Sequence, residues 1–328
     1  MIPQKKILIT GANGYIGAGL SRYLSNNGYS IDGICYPLIP DDVEWKKYFN
    51  HLYNFDIRAP ENIERIADNN YDTVIHLVSL DHHQSDGESN FVCSINVIPA
   101  LNLLKVFANK KRLKKFIYFS TIHVYGNLPY TEISEETEPA PRNIYGLTHL
   151  MSEQVCDYYN RNTEINCINV RLSNSYGSPI FKENNCWWLV VNDLCKTAFE
   201  NKTIILKSDG LPQRDFIHSS DVFSAVEILI NTNEKNLKNN TYHISSGETK
   251  TIKDLACIIK SIFQARYKQE INIFLPGDII LDCNKKVKNI GSYIIKNTKL
   301  RELGFIPKID FQAGINDLFD YLEQYNEK

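Results

Sequence analysis

Three glycines near the start of the chain have the spacing of a phosphate-binding turn. Gly11, Gly14 and Gly17 follow an apolar stretch and precede apolar positions with helical spacing at Leu20 and Leu24. Glycine is needed where a chain turns sharply between a strand and a helix and approaches a pyrophosphate, and N–H groups at the helix start then meet the phosphate charge. We therefore expect a dinucleotide at this turn. The residues expected to hold it are those of the turn and of the first helical turn: Gly11, Asn13, Gly14, Tyr15, Ile16 and Gly17.

Two later stretches carry hydroxyl, phenol and imidazole groups. Thr121 and His123 come at the end of an apolar stretch, and ligands of an open α/β sheet gather at the carboxyl ends of its strands. Tyr145 and His149 are four residues apart in a helical pattern, so they lie one turn apart on one helix face. Both stretches are therefore candidates for a reactive site.

The surrounding pattern predicts the elements that position these residues. Apolar, β-rich runs predict strands at 6–10, 29–35, 51–56, 72–77, 115–119 and 166–171, and helical patterns, one of them over about 143–161, separate most of them. This alternation is typical of a doubly wound parallel α/β sheet with helices on both faces. The pattern breaks near residue 176. We expect a dinucleotide-binding domain over 1–175, to which segments near 213–246 return, and a smaller substrate-binding lobe over 176–328.

Composition excludes some partners. The chain has 328 residues, 43% of them apolar, and a net charge of −2, so it has no broad basic surface and we expect neither nucleic acid nor a membrane as partner. We expect neither an apolar run that spans a bilayer nor a signal peptide before the first strand, so a cytoplasmic location is predicted. The eight cysteines lack a Cys-x-x-Cys pair and are expected to be reduced core residues, with neither a disulfide nor a zinc framework.

Together these stretches resemble the extended short-chain dehydrogenase/reductases, the group of sugar-nucleotide epimerases, dehydratases and ketoreductases. The matching stretches are Thr10-Gly11-x-x-Gly14-x-x-Gly17, Asp56-Ile57, Asp72 to Leu77, Asn96-Val97, Ser120-Thr121, Val124-Tyr125-Gly126, Tyr145, Arg171 with Asn174, Arg214 to His218, and Leu303-Gly304-Phe305. The resemblance implies a Rossmann sheet, NAD or NADP as cofactor with NAD slightly preferred, and a nucleotide-diphosphate sugar as substrate. It also implies a homodimer formed by the helices near 96–110 and 143–161.

The resemblance also implies catalytic roles. In this family a tyrosine acts as acid or base toward a sugar hydroxyl or carbonyl, and a Ser or Thr hydroxyl fixes the same oxygen, which assigns Tyr145 and Thr121. A lysine four residues after the tyrosine normally assists it and holds the nicotinamide ribose, but this chain has His149 there. A neutral imidazole could bond the ribose, a protonated one could lower the phenol pKa, and a tolerated helix-face residue is the alternative.

The adenosine end departs from the family as well. Asp56 and Ile57 match the adenine position, and Leu77, Val78 and Asn96 complete the expected cofactor contacts. An acid that selects NAD or a base that selects NADP usually ends the second strand, but Cys35 and Tyr36 stand there. Asp41 and Asp42 follow in a loop and are expected to be solvated. Neither cofactor is therefore selected in the usual way.

The remaining candidates concern the substrate. Asn174 and Arg214 match positions that hold the diphosphate, although Arg214 could instead form a structural ion pair with Asp215. His82 and His83 follow the fourth strand on the cofactor side, and no ligand spacing supports a metal there. Ile122 and His123 replace the acidic pair of 4,6-dehydratases, which argues against that reaction. His123 could abstract a proton beside a ketone or only line the pocket.

The sequence predicts an enzyme, a nucleotide-sugar epimerase or 4-ketoreductase that exchanges hydride at sugar C4. Two alternatives stay open. One is a 3- or 5-epimerase of a keto sugar nucleotide that uses His123 as acid and base. The other is a cofactor-binding or regulatory protein of the same fold that has lost turnover through His149.

Overall fold

A computed structural model describes residues 5–128, 132–237, 240–284 and 292–326. The strands are β1 Lys6–Thr10, β2 Ser30–Cys35, β3 His51–Asn54, β4 Thr73–His76, β5 Lys115–Thr121, β6 Glu132–Ile133, β7 Asn166–Leu172, β8 Asn174–Tyr176, β9 Thr203–Ile205, β10 Gln213–His218, β11 Thr241–Ile244, β12 Thr249–Thr251, β13 Asn272–Leu275, β14 Ile279–Ile280 and β15 Ile294–Ile295. The α-helices are α1 Tyr15–Asn26, α2 Val43–Lys46, α3 Pro60–Glu64, α4 Ser89–Asn96, α5 Ile98–Lys110, α6 Ile144–Asn162, α7 Val190–Asn201, α8 Ser219–Asn231, α9 Ile252–Tyr267, α10 Thr298–Glu302 and α11 Phe311–Asn326.

A seven-stranded parallel sheet forms the centre of the first part of the chain. Its strand order is β11-β7-β5-β4-β1-β2-β3, and every neighbouring pair is parallel. The order reverses at β1, so a crevice opens at the carboxyl ends of β1 and β4, where ligands of such sheets bind. The predicted doubly wound α/β sheet is confirmed.

Side chains alternate across this sheet between two cores. Ile7 and Ile9 of β1 pack in the core that contains α1 and α8, whereas Leu8 packs in the core that contains α5 and Tyr118. Successive side chains of a strand point to opposite faces, so a strand covered on both faces must be apolar throughout. This explains the continuous apolar runs from which the strands were predicted.

The later part of the chain has a core of its own. Helices α7, α9 and α11 pack together around residues such as Leu194, Ile259 and Phe319. Two small sheets, with strand orders β12-β10-β8 and β14-β13-β9, accompany them. Helix α8 and strand β11 return to the large sheet and its core.

Two expectations from composition are wrong. Cys257 of α9 and Cys283 form a disulfide, with a Cα–Cα distance of 5.8 Å, because the β13–β14 hairpin brings Cys283 back onto the helix. The helical segment Ser89–Lys110 is long and apolar enough to cross a membrane by length and composition, and half of its apolar window is buried inside the protein. The six other cysteines are free.

Candidate functional site

The Gly-rich turn follows β1 and lies beside the end of β4. Gly11 has a φ of +70°, which disfavours residues with a Cβ atom, and a Cβ on Gly17 would lie 2.1 Å from the Gly11 carbonyl oxygen. Helix α1 begins after Gly14, and no side chain caps its N-terminus. The N–H groups of its first turn therefore stay available to an anion, and the absence of Cβ atoms leaves room for a phosphate group.

An apolar cavity of about 260 Å³ opens beside the turn. Six of the predicted cofactor residues line it: Gly11, Asn13, Tyr36, Asp56, Ile57 and Val78. Leu77 lies next to it and donates its N–H to Thr10 O at 3.3 Å. A mostly apolar cleft with a few polar groups suits a flat aromatic base. The turn and this cavity together fit a dinucleotide.

Asp56 is the acidic group of this cavity, and Arg58 also lines it. Its carboxylate accepts two bonds from Arg58 Nε, at 3.0 and 2.8 Å, and one from the Arg58 backbone N–H at 2.9 Å. The Arg58 guanidinium holds the pKa of Asp56 below its usual value, so the carboxylate is an anionic acceptor at neutral pH. Asp42, by contrast, caps helix α2 through Trp45 N–H at 2.8 Å.

Tyr145 and Thr121 meet at the carboxyl edge of the sheet. Helix α6 begins after Asn143, whose side chain accepts the Gly146 N–H at 2.8 Å, and this places Tyr145 in the first helical turn. Thr121, at the end of β5, lines the same cavity as the phenol, and its hydroxyl acts to lower the phenol pKa. Burial raises the pKa of Tyr145 to about 12. Tyr145 is therefore a phenol at neutral pH.

Buried polar contacts fix α6 against the sheet. Arg171 of β7 donates to both oxygens of Glu153 on α6, at 3.0 and 2.6 Å, and Ser120 of β5 donates to the same carboxylate at 2.5 Å. All three side chains are buried. Because these charges are paired and hydrogen-bonded, they fix the position of α6 relative to the end of β5.

His149 faces the protein interior. It is 2% exposed, its Nδ1 lies 2.8 Å from the Tyr118 hydroxyl and its Nε2 lies 3.0 Å from Ser79 Oγ. Ser79 gives its own proton to Leu80 O at 2.8 Å, so we assign the Nε2–H donor to Ser79 and the Nδ1 acceptor to Tyr118. Burial lowers the pKa of His149 to about 3.

The idea that a protonated His149 replaces the family lysine is therefore wrong. The ring is neutral at physiological pH, and both of its nitrogens are used by the protein. It packs edge-on against Tyr145, with ring centroids 4.5 Å apart. His149 thus positions Tyr145 without supplying a positive charge.

Asn96 is also an interior residue. It is fully buried, its amide donates to Thr148 Oγ1 at 3.0 Å, and its Oδ1 accepts the Leu80 N–H at 2.8 Å. The structure places Asn96 between α6 and the loop after β4. It orders that loop rather than lining the adenine cavity.

The other predicted catalytic and substrate residues share one large cavity of about 520 Å³. They are His82, His83, Thr121, His123, Tyr145, Asn174 and Arg214. An adjoining cavity of about 570 Å³ shares His123, Asn174 and Arg214 with it. This combined space lies on the Tyr145 side of the sheet and is the candidate substrate site.

His123 is open to this cavity. Its ring centroid lies 5.5 Å from that of Tyr145 and 6.2 Å from that of His82. Desolvation by the cavity walls, with His82 and Arg214 near, lowers the pKa of His123 to about 4, so the imidazole is neutral at pH 7. In the described parts of the chain, no group of three His, Cys, Asp or Glu residues is placed to hold a metal ion.

Arg214 is free of the expected partner. The buried Asp215 carboxylate instead accepts from Ser173 Oγ at 2.6 Å and from Ser246 Oγ at 2.9 Å. Arg214 donates to the Gln213 carbonyl at 2.7 Å, and its exposed side chain lines both cavities. Asn174 is anchored through its amide to Asp215 O at 2.9 Å. The alternative of an Arg214–Asp215 ion pair is therefore wrong.

A segment of the later part, residues 177–189, crosses the Gly-rich turn. The Asn184 amide donates to Asn13 O at 3.0 Å, and the Tyr15 hydroxyl donates to Gly177 O at 3.1 Å. Phe181 packs edge-on against Trp45, with centroids 5.0 Å apart. We call residues 177–189 the crossing segment. It ties the dinucleotide turn to the wall of the large cavity.

Sequence reasoning missed two kinds of site residue. Trp188, near the end of the crossing segment, lines the large cavity. Its only signal in the sequence was its position shortly after the change in pattern near residue 176. Tyr118 and Ser79, which hold His149, carry no motif. The available signal was their position. Tyr118 lies within β5 and Ser79 follows β4, and both strands end at the site.

Comparisons with known proteins give matches over most of the chain. A model of the NAD dependent epimerase/dehydratase family matches residues 7–245. The chain is 26% identical to a putative UDP-glucose 4-epimerase of Methanocaldococcus jannaschii, over 98% of this chain and 99% of that protein. It is 24% identical to a dTDP-glucose 4,6-dehydratase of Shigella flexneri, over 96% of this chain and 92% of that protein.

Solved structures also match over nearly the whole chain. A UDP-glucose 4-epimerase from Thermotoga maritima, crystallised with UDP-glucose, matches with a TM-score of 0.81 and 25% identity, over 98% of this chain and 99% of that chain. A UDP-glucuronic acid 4-epimerase from Bacillus cereus, in complex with UDP-glucuronic acid and NAD, shares the fold with a TM-score of 0.78 and 23% identity, over 98% and 99%.

Proposed function

Because the chain belongs to the NAD-dependent epimerase/dehydratase family, we propose that it is a nucleotide-sugar epimerase or 4-ketoreductase that exchanges hydride at sugar C4. The observation that carries this proposal is that Tyr145 and Thr121 lie together in the wall of the large cavity, at the carboxyl edge of the sheet. Hydride exchange at a carbon requires proton transfer on the attached oxygen, and this pair supplies it.

The cofactor in this proposal is NAD(H) or NADP(H). When bound, its nicotinamide accepts or donates the hydride. The Gly11–Gly17 turn holds the pyrophosphate, and the 260 Å³ cavity with Asp56 holds the adenosine. NAD is preferred because Cys35 and Tyr36 offer no cation to a 2′-phosphate and the guanidinium of Arg58 is already paired with Asp56.

Tyr145 moves the proton, and Thr121 fixes the reacting oxygen. The pKa of Tyr145 is raised to about 12, so the phenol keeps its proton at neutral pH. Its close aromatic neighbours in the described chain are His82, His123 and His149. A phenol is a good donor to a developing alkoxide and a poor base. Within the proposal, reduction of a 4-keto sugar is therefore the favoured direction.

The substrate is proposed to be a nucleotide-diphosphate sugar. Arg214 offers a guanidinium to the diphosphate, and Asn174 lies beside it where the two cavities meet. The relatives from Thermotoga maritima and Methanocaldococcus jannaschii, both described as UDP-glucose 4-epimerases, support this substrate class.

A second candidate function rests on His123. Its imidazole is open to the cavity and unprotonated at pH 7, so it could accept a proton from C3 or C5 of a keto sugar. This would make the protein a 3- or 5-epimerase with little use of Tyr145 as a redox partner. A cofactor-binding protein without turnover is the third candidate, favoured by the neutral state of His149.

We also propose a homodimer. Helices α5 and α6 pack side by side and present exposed apolar side chains at Ile98, Leu101, Leu147 and Met151. An apolar face of this kind is typical of an association surface. The cytoplasmic location stays a prediction.

The first experiment is identification of the ligand released from purified protein by mass spectrometry. NAD(H) or NADP(H) is expected, and absence of both after gentle purification contradicts the redox candidates. A panel of 4-keto nucleotide sugars with reduced cofactor in deuterated water separates the rest. Deuterium entering at C3 or C5 identifies the His123 candidate, whereas cofactor oxidation without that exchange supports the C4 reaction.

A further inference from the structure

Four aromatic side chains line the large cavity together with the reactive tyrosine. They are His82, His83, His123 and Trp188, and we call them the aromatic box. His82 is central: its ring centroid lies 3.9 Å from His83, 5.0 Å from Trp188 and 6.2 Å from His123. Tyr145 lies 6.4 Å from the same ring. A sugar carbon that reacts with Tyr145 must therefore lie against this box.

We propose that the aromatic box selects an uncharged sugar and rejects a sugar that carries a carboxylate. This inference rests on the proposed function and narrows its substrate class. It separates neutral hexose substrates, such as glucose, from uronic acids, such as glucuronic acid. No motif in the chain makes this distinction.

The charges around the cavity support the proposal. Among the described residues that line it, Lys207 is paired with Asp193 at 2.9 Å, which leaves Arg214 as the cation without a carboxylate partner. Arg214 stands with Asn174 where the two cavities meet and is assigned to the diphosphate. It also lies near His123. Once the diphosphate is bound, its negative charge compensates this cation.

Two acidic residues, Asp81 and Asp86, act electrostatically on His82 of the box. Asp81 precedes His82 in the same loop, and its carboxylate accepts the Gln84 N–H at 2.8 Å and the Asn185 amide at 3.3 Å. Asp86 follows in the same loop and also acts on His82. Both carboxylates repel an anionic substituent on the sugar. A carboxylate in the box would therefore lose its hydration without gaining a cation from the described residues around it.

Two of the imidazoles, His82 and His123, are poor sources of that cation. Burial lowers the pKa of His82, and the pKa of His123 is about 4. Because the pKa of His123 is about 4, only about one His123 imidazole in a thousand is protonated at pH 7. A bound carboxylate would have to overcome this factor to pair with a protonated His123. A neutral imidazole has one donor and one acceptor nitrogen, which suits sugar hydroxyls. The indole face of Trp188 adds an apolar surface for the ring carbons.

Calorimetric binding in the presence of NAD tests the proposal without turnover. Bare UDP, dTDP and GDP are titrated first, and the tightest defines the nucleotide. Its glucose and glucuronic acid conjugates, or the mannose and mannuronic acid conjugates for GDP, are then compared. The neutral conjugate is expected to bind at least about tenfold more tightly than the acid. Equal binding, or tighter binding of the acid, overturns the proposal.

Two outcomes distinguish this inference from the proposed function. If none of the three nucleotides binds, the proposed function itself fails, and this inference fails with it. If a nucleotide binds but the conjugates do not discriminate, only the inference fails.

A charge-changing variant gives a second measurement. His123→Arg places a permanent cation in the box and is expected to reduce the discrimination by about tenfold or to reverse it. His51→Arg, at an exposed residue of β3 outside the cavities, is the matched control and should leave the ratio unchanged. Unaltered discrimination in a folded His123→Arg protein overturns the proposal.

Discussion

Replacing His149 by lysine tests whether the missing cation limits Tyr145 as a base. With a pKa of about 12, only about one Tyr145 in 10⁵ is ionised at pH 7. A fixed cation within about 4–6 Å lowers the pKa of an acid by about 1–3 units. His149→Lys should therefore raise the phenolate fraction about tenfold to a thousandfold, since the imidazole ring now lies 4.5 Å from the phenol ring.

The effect is directional. Oxidation of a sugar hydroxyl needs the phenolate, whereas reduction of a ketone needs the phenol, so the variant should raise the oxidation rate and leave the reduction rate near its wild-type value. In the wild type the oxidation rate should increase about tenfold per pH unit through neutrality, because the folded pKa lies far above pH 7. In His149→Lys this increase should level off at a lower pH.

The assay is a single-turnover measurement of reduced nicotinamide formed from a nucleotide sugar, repeated across the pH range. Removing the imidazole also removes partners from Tyr118 and Ser79, and each buried group left unpaired costs about 1–3 kcal/mol. His149→Gln is the matched control, because its amide can bond both groups without a charge. A folded lysine variant with an unchanged pH profile and no gain in oxidation refutes the reasoning.

The remaining predictions concern the cofactor turn, the proton donor and the dimer. Gly17→Ala should abolish NAD binding in a calorimetric titration and lower Tm, since its Cβ would lie 2.1 Å from the Gly11 carbonyl oxygen. Tyr145→Phe should reduce turnover of a 4-keto nucleotide sugar by about 10²–10⁴-fold while NAD still binds. Met151→Glu, on the exposed face of α6, should convert a dimer to a monomer in sedimentation, with little change in the Tm of the monomer.

Each of these predictions has a contradicting result. Gly87→Ala is the control for the turn, because its Cβ would meet only the Gln84 carbonyl at 3.4 Å. Equal NAD affinity in the Gly17→Ala and Gly87→Ala variants contradicts the role of the Gly-rich turn in binding the dinucleotide. Full turnover in Tyr145→Phe would show that another group, such as His123, transfers the proton. A dimer that survives Met151→Glu would exclude the α5–α6 face.

The features predicted correctly from the sequence are mostly local. The strand, turn and helix around Gly11 and Gly17 are encoded within about fifteen residues, so spacing alone indicated them. The buried strands were visible because both of their faces are covered and the runs are apolar throughout. The doubly wound sheet followed from the alternation of these runs with helical patterns.

Long-range contacts account for most of what the sequence did not reveal. The state of His149 depends on Tyr118 and Ser79, which are 31 and 70 positions away, and spacing on its own helix cannot report them. The Cys257–Cys283 disulfide depends on how a hairpin folds back onto α9. Arg214 was assigned a possible partner next to it, but Asp215 points inward because alternate residues of a strand face opposite sides.

The crossing segment physically connects the two candidate binding regions. Its Asn184 bonds the backbone of Asn13 in the dinucleotide turn, and its Trp188 forms a wall of the sugar cavity. Any displacement of this segment by one ligand would change the contacts available to the other. Such coupling is reciprocal: the factor by which a bound dinucleotide changes the affinity for the nucleotide sugar must equal the factor by which the sugar changes the affinity for the dinucleotide. Order of addition can alter the rates of assembly in this protein, but not the stability of the ternary complex.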